Sequence, residues 1–258
     1  TGGPDDPMQY GMKIFCDDLV GMLDAKGIDK AVFIGHDWGG AVVWSMARLY
    51  PDRCSGIIGL NTGAGRPGNL PPVENSEPNQ IIMTPNFYQA TFQSPGVAEP
   101  ILEADVRHTF DFILSRGGIW NKESFGQMPE DSAERQMDLL SMIQREDPPG
   151  DPFLPEDVMQ YFVQTYEATG FEKGLNWYRA ARRMGAAMAS AVDRIEAPSL
   201  YIGAEHDVIL PPSVADGMED FITDLEKYTV MDSGHWTQQE KPEEVNRVIV
   251  EWLDRKIG

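Results

Sequence analysis

One stretch constrains this chain more than any other: Ala31-Val32-Phe33-Ile34-Gly35-His36-Asp37-Trp38-Gly39-Gly40. The apolar run from Ala31 to Ile34 predicts a strand, the Gly-x-Asp-x-Gly run a sharp turn, and the pattern from Ala41 through Tyr50 a helix. Gly35 and Gly39 are expected to leave room for strained backbone and for close approach of strand to helix, which pushes Asp37 out at the top of a sheet. A serine in that position would need a histidine to take its proton before it could attack. An aspartate, with a reference pKa of about 3.9, is already ionised at neutral pH. A histidine nearby is then left to activate water. Five positions alone also fit an ordinary turn, and it is the flanking strand and helix that argue for the reactive reading.

The rest of the chain supplies the context for that turn. Met8 to Lys26 carries Phe15, Leu19, Met22 and Leu23 between charged residues, with Gly27 behind it, and predicts an amphipathic helix ending in a glycine cap. Lys30 to Ile34 is the strand before the turn, Trp38 to Tyr50 the helix after it, stopped by Pro51, and Cys54 to Leu60 a second buried strand. Strand and helix in alternation predict a parallel sheet with right-handed crossovers. After Asn61 the pattern changes. Gly63 to Pro78 reads as a loop, and from Asn86 to about Met188 the periodicity is helical, with segments at Gly96 to Ser115, Met137 to Ile143, Pro155 to Thr169 and Leu175 to Met184. The sheet resumes at Ala197 to Gly203, with Glu205-His206-Asp207 at its carboxyl end. Tyr228 to Val230 then leads into Asp232-Ser233-Gly234-His235-Trp236, and Pro242 to Lys256 forms a closing helix. The expected class is α/β, a mostly parallel sheet with an inserted all-helical cap domain: residues 1–65 as core, 66–190 as cap over the catalytic face, and 191–258 as core.

The turn Gly35-His36-Asp37-Trp38-Gly39-Gly40, with Leu60-Asn61-Thr62 after the next strand, resembles the α/β-hydrolase-fold epoxide hydrolases of the soluble type. Asn86-Phe87-Tyr88-Gln89-Ala90-Thr91-Phe92-Gln93-Ser94-Pro95-Gly96 is similar to the start of that family's cap. Leu175-Asn176-Trp177-Tyr178-Arg179 is similar to its later part, and Gly234 through Asn246 to its closing segment. The resemblance covers nearly the whole chain and is weakest through Gly117 to Pro155. It implies the α/β-hydrolase fold, in which Asp37, Asp207 and His235 stand in the chain order of nucleophile, acid and histidine. Each falls in a loop at the end of a predicted strand, where open α/β sheets carry their catalytic groups. Glu205 and Asp232 are rival acids, and the family pattern selects Asp207. His36 reads as an orienting, hydrogen-bonded residue of the turn, and His108 and His206 receive no chemistry.

The same resemblance maps the family's two ring-opening tyrosines onto Tyr88 and Tyr178. Opening an epoxide leaves an alkoxide, which departs well only if an acid donates to it, and a phenol with a pKa near 10 does so while staying neutral at pH 7. The implied reaction is hydrolysis of an epoxide to a vicinal diol. Asp37 forms an ester, His235 with Asp207 activates water against it, and the Trp38 N–H helps hold the oxyanion. A haloalkane or haloacid dehalogenase would use the same Asp37, but it calls for N–H donors to halide rather than phenols. A catalytically silent binding protein on the same fold is the alternative outside enzyme chemistry.

The family normally places several strands before this turn, and here about thirty residues precede it. The expectation is that this chain begins inside a longer protein, and that the second oxyanion donor lies in the part before Thr1. A net charge of -20 argues against nucleic acid and anionic membrane as partners. No stretch reaches the roughly 18 apolar residues of a membrane span. Cys16 and Cys54 both fall in segments that read as buried, so free thiols in a cytoplasmic protein are expected. There is no P-loop and no paired-cysteine metal spacing, and the reaction that the resemblance implies requires neither a metal nor an organic cofactor. The partners are a small apolar epoxide and water, and the sequence permits a homodimer.

Overall fold

The structure, a computed structural model, describes residues 2–65, 84–116, 122–144, 147–148, 150–180 and 191–258. In chain order, α1 (Met12–Lys26), β1 (Ala31–His36), α2 (Trp38–Leu49) and β2 (Cys54–Leu60) come first. A run of helices follows: α3 (Tyr88–Thr91), α4 (Glu99–Leu102), α5 (Val106–Ile113), α6 (Lys122–Gln127), α7 (Leu139–Ile143), α8 (Glu156–Thr169) and α9 (Glu172–Ala180). Then come β3 (Ser199–Ala204), β4 (Leu225–Val230), α10 (Thr237–Glu240) and α11 (Pro242–Lys256). The chain divides into two compact units, one of Thr1–Tyr10 with Asn75–Ala181, the other of Gly11–Glu74 with Arg182–Gly258. The expected divisions at 65/66 and 190/191 fall at the edges of segments outside the described residues, as do most of the loop expected at Gly63 to Pro78 and the last residues of the helix expected at Leu175 to Met184.

The second unit holds the sheet. Among the described residues it has four strands, all parallel, in the order β1-β2-β3-β4. The register pairs His36 with Leu60, Leu60 with Ile202 and Ala204 with Val230, so all four strands end on one edge and their following loops gather there. The two middle strands, β2 and β3, are buried. Ile58, Leu60, Leu200, Ile202 and Val230 pack against Val245, Val248 and the fully buried Trp252 of α11. Gly56 and Gly59 are small because Trp252 and Trp44 lie against them: a Cβ on Gly56 would come 2.9 Å from the Trp252 ring. The two cysteines are buried and free, and burial, the first cause for each, pushes both thiols up to about 12.

Several boundaries differ from the expectation, each for a local reason. The first helix starts at Met12 rather than Met8, because the Asp6 side chain caps a tight 3-10 turn at Pro7–Gln9 and Tyr10 and Gly11 are extended. β1 runs on to His36, held by its register with β2. β4 begins at Leu225 rather than Tyr228 because Leu225 already pairs with Ser199, on an edge strand whose half-exposed residues hide the pattern.

In the first unit, the segment from Gly96 to Ser115 is two helices and not one. Asp105 is extended, with φ -149, and its side chain accepts from the His108 N–H, so α5 starts afresh with its own cap. α7 is capped the same way by Asp138 on the Ser141 N–H, and α8 carries Glu156 and Asp157 in its first turn, where the helix dipole favours them. No helix among the described residues is long and apolar enough to cross a membrane.

Candidate active site

Asp37 is the residue between β1 and α2, and its backbone has φ 52 and ψ -119, a conformation that L-residues avoid. The surrounding bonds hold it there. The Thr62 hydroxyl donates to the Asp37 carbonyl at 2.7 Å, the Ala41 N–H donates to the same oxygen at 3.1 Å, and the Asp37 N–H reaches the Leu60 carbonyl at 3.4 Å. An aspartate at a helix N-cap ordinarily turns its side chain onto the helix. Here the side chain makes no capping bond, and the carboxylate stays one-third exposed at the helix start, where the dipole favours an anion.

Two glycines make the turn possible, though not the pair expected. A Cβ on Gly35 would run into the Gly39 carbonyl, and one on Gly40 would come 2.7 Å from the Thr62 Cβ. Gly39 has nothing within 4 Å of its own Cβ position, so the close approach expected at Gly39 falls at Gly40. Trp38 opens α2, at the helix start where N–H groups point outward.

The loops after β3 and β4 bring Asp207 and His235 to the same edge. The His235 Nδ1–H donates to Asp207 Oδ2 at 2.9 Å, and His235 Nε2 faces Asp37 Oδ2 at 3.7 Å. Asp207 is 1% exposed and accepts three further bonds, from Asn61 Nδ2 at 2.7 Å and from the Ile209 and Leu210 N–H groups at 2.9 Å each. Burial works against its charge, but the His235 charge and these donors outweigh burial and hold the carboxyl below its ordinary range. Burial also opposes a charged His235, yet Asp207 first and Asp37 after it raise it to about 9.

The rival acids are engaged elsewhere. Glu205 accepts the Asp232 N–H at 2.9 Å, and Asp232 pairs with Lys241 at 3.1 Å. His36 is a hydrogen-bonded brace of the turn: its Nε2–H donates to the His235 carbonyl at 2.7 Å. Burial, followed by the neighbouring His235 charge, drives it down to about 4.

Asn61 carries no role in the sequence reading beyond its place in the resemblance, yet it is fully buried, has φ 59 and holds the acid through its amide. The signal in the sequence was a lone amide at the end of an apolar strand, which has to find a partner if buried. Thr62, next to it, carried no signal for its bond to the Asp37 carbonyl.

Asp37, Trp38, Asp207 and His235 thus share the sheet unit, while Tyr88 and Tyr178 belong to the helical unit. There the two phenol rings meet edge to face with centroids 5.8 Å apart, and Phe92 packs on both, 5.5 Å from Tyr88 and 5.1 Å from Tyr178. Gln89 Nε2 donates to the Tyr88 hydroxyl at 3.1 Å. Among the described residues no group of three or more His, Cys, Asp or Glu could hold a metal ion.

The profile of the alpha/beta hydrolase fold family matches residues 2–242. Bifunctional epoxide hydrolase 2 of Rattus norvegicus is 35% identical over 100% of this chain, which spans 45% of that protein, less than half its length. Epoxide hydrolase A of Mycobacterium tuberculosis is 31% identical over 92% of this chain and 72% of its own. Among solved structures, epoxide hydrolase A from Mycobacterium thermoresistibile superposes with a TM-score of 0.77 at 28% identity, over 98% of this chain and 78% of its own.

Proposed function

This chain belongs to the alpha/beta hydrolase fold family and within it to the epoxide hydrolases, and from that membership we propose that it converts epoxides to vicinal diols through an ester on Asp37. The observation that carries the reading is a carboxylate at a strained strand-to-helix turn facing the Nε2 of a histidine whose Nδ1–H is held by a buried acid. A carboxylate needs no base, so the histidine is kept for water.

In the first half-reaction an Asp37 oxygen attacks an epoxide carbon and the carbon–oxygen bond of the ring breaks. The departing oxygen takes a proton from Tyr88 or Tyr178, and a hydroxyalkyl ester remains. The resemblance assigns the tyrosines this role, and two phenols packed on one phenylalanine support it. Esterification also removes the Asp37 charge, one of the three carboxylates that keep His235 protonated. The imidazolium then gives up its proton, which passes through solvent to restore the phenol, and His235 becomes able to accept one. In the second half-reaction His235 Nε2 takes a proton from water, and the hydroxide adds to the Asp37 ester carbonyl. The Trp38 N–H donates to the oxyanion, and collapse expels the diol oxygen, which takes the proton of the new Asp37 carboxyl and so restores the carboxylate, with His235 left protonated. Asp207 holds the imidazolium that forms. On this proposal residues 1–65 and 191–258 supply the core and residues 66–190 the cap.

Intact mass spectrometry of a His235→Gln variant tests the reading. After mixing with styrene oxide, a gain of the whole epoxide mass is expected, since the ester forms and no base hydrolyses it. A bromoalkane should leave the mass unchanged. Alkylation by the bromoalkane with bromide lost, and none by the epoxide, would make the chain a dehalogenase instead.

A further inference from the structure

His235 sits in a loop, on neither a strand nor a helix, and yet the backbone on both sides of it is tied. The Gly234 N–H donates to Glu240 Oε2 at 3.0 Å and the Trp236 N–H to Glu240 Oε1 at 3.1 Å, so one carboxylate grips the residues on both sides of the histidine. The Gly234 carbonyl accepts from the Thr237 hydroxyl at 2.9 Å, and the His235 carbonyl from His36 Nε2–H at 2.7 Å. The Trp236 carbonyl accepts the Gln239 and Glu240 N–H groups, which closes the short helix α10 on the loop. Glu240 uses both oxygens on this loop, a demand that an amide with one acceptor oxygen does not meet. Among the described residues it forms no ion pair: the neighbouring Lys241 turns to Asp232 instead.

We infer that Glu240 is the positioning residue for His235, clamping the backbone on either side of the imidazole so that Nε2 points at the Asp37 ester; the inference rests on His235 being the base for water. Geometry is the first reason. A histidine that has to meet both a water and an ester carbonyl loses much of its rate when displaced by about 1 Å. Charge is the second. Within the sheet unit the groups facing His235 are Asp37 at the turn, His36 on β1, Asp207 after β3 and Glu240 on α10. Once Asp37 is esterified and with His36 neutral, Asp207 and Glu240 are the carboxylates among the described residues that offer negative charge to the imidazolium as water is deprotonated.

The test separates the two half-reactions. In single-turnover mixing with styrene oxide, Glu240→Gln should form the ester within about two-fold of the parent rate and hydrolyse it roughly ten-fold or more slowly. The adduct then becomes visible by mass, and the pH midpoint of the hydrolysis step moves down by about one unit as a carboxylate charge is lost. Thr237→Val, which removes a clamp bond and no charge, should slow hydrolysis without moving the midpoint. An unchanged hydrolysis rate and midpoint in Glu240→Gln would overturn the inference. So would a proportional fall of both half-reactions together with Tm, the mark of a merely structural residue. NMR titration of the His235 ring without substrate gives a second readout, expected to shift downward in Glu240→Gln. A downward shift in a protein that forms no ester on any epoxide would fault the hydrolase reading and leave the clamp standing, whereas no shift would sink the clamp.

Discussion

Around Asp37, burial opposes three charges and the side chains resolve the conflict differently. Asp207 stays ionised because four donors meet it. His235 stays protonated, raised to about 9, because Asp207 first, then Asp37 and Glu240, offer it negative charge. His36, with its ring centroid 4.9 Å from that of His235, gives up its charge and falls to about 4. These shifts act on stability with opposite signs. The raised His235 contributes stability that is fully present below its unfolded value near 6.5 and lost as pH rises through about 9. The depressed His36 contributes stability present above 6.5 and lost as pH falls through about 4. Calorimetric Tm against pH should therefore peak near 6.5, and the acid limb should shrink in His36→Gln, which keeps an N–H for the His235 carbonyl. A Tm that stays flat from pH 6.5 to 9 would contradict the His235 assignment. At this scale the residue types were legible in the sequence, but the role of Asn61 and the different charge states of the two neighbouring histidines were not. Both depend on partners 146 and 199 positions away in the chain.

Elements were legible where one local signal ruled. Cys54–Leu60 and Pro242–Lys256 have the bounds their patterns predict, and Gly27 ends α1 with φ 66 as a glycine cap should. They were misread where a side chain overrode the period, as Asp105 does in splitting Gly96 to Ser115 into two helices. The glycines of the strand-turn-helix element give a sharp contrast. Gly35→Ala would drive a methyl group into the Gly39 carbonyl, backbone that cannot turn aside, and should cost about 3 kcal/mol and most of the activity. Gly39→Ala meets open space and should keep the fold, with Tm within a few degrees of the parent. Urea unfolding of the two variants decides it, and equal destabilisation would refute the packing argument.

Across the whole molecule the net charge of -20 sets a background repulsion. Exposed pairs such as Arg107 with Asp111 and Glu156 return little, about 1 kcal/mol or less each. Repulsion spread over the surface should therefore outweigh them, and Tm should rise by several degrees between low salt and about 0.5 M NaCl as charges are screened. A falling Tm would mean that the surface pairs dominate. By itself the sequence determined the strand-turn-helix with its aspartate, the α/β class, and which aspartate and histidine follow the later strands, because these rest on local patterns and on chain order. Only the tertiary structure decided how the acid is held, which glycines the turn needs, where the charges rest and what grips the histidine. Those depend on distances between segments far apart in the chain, which are set when parallel strands in register bring their carboxyl ends to one edge.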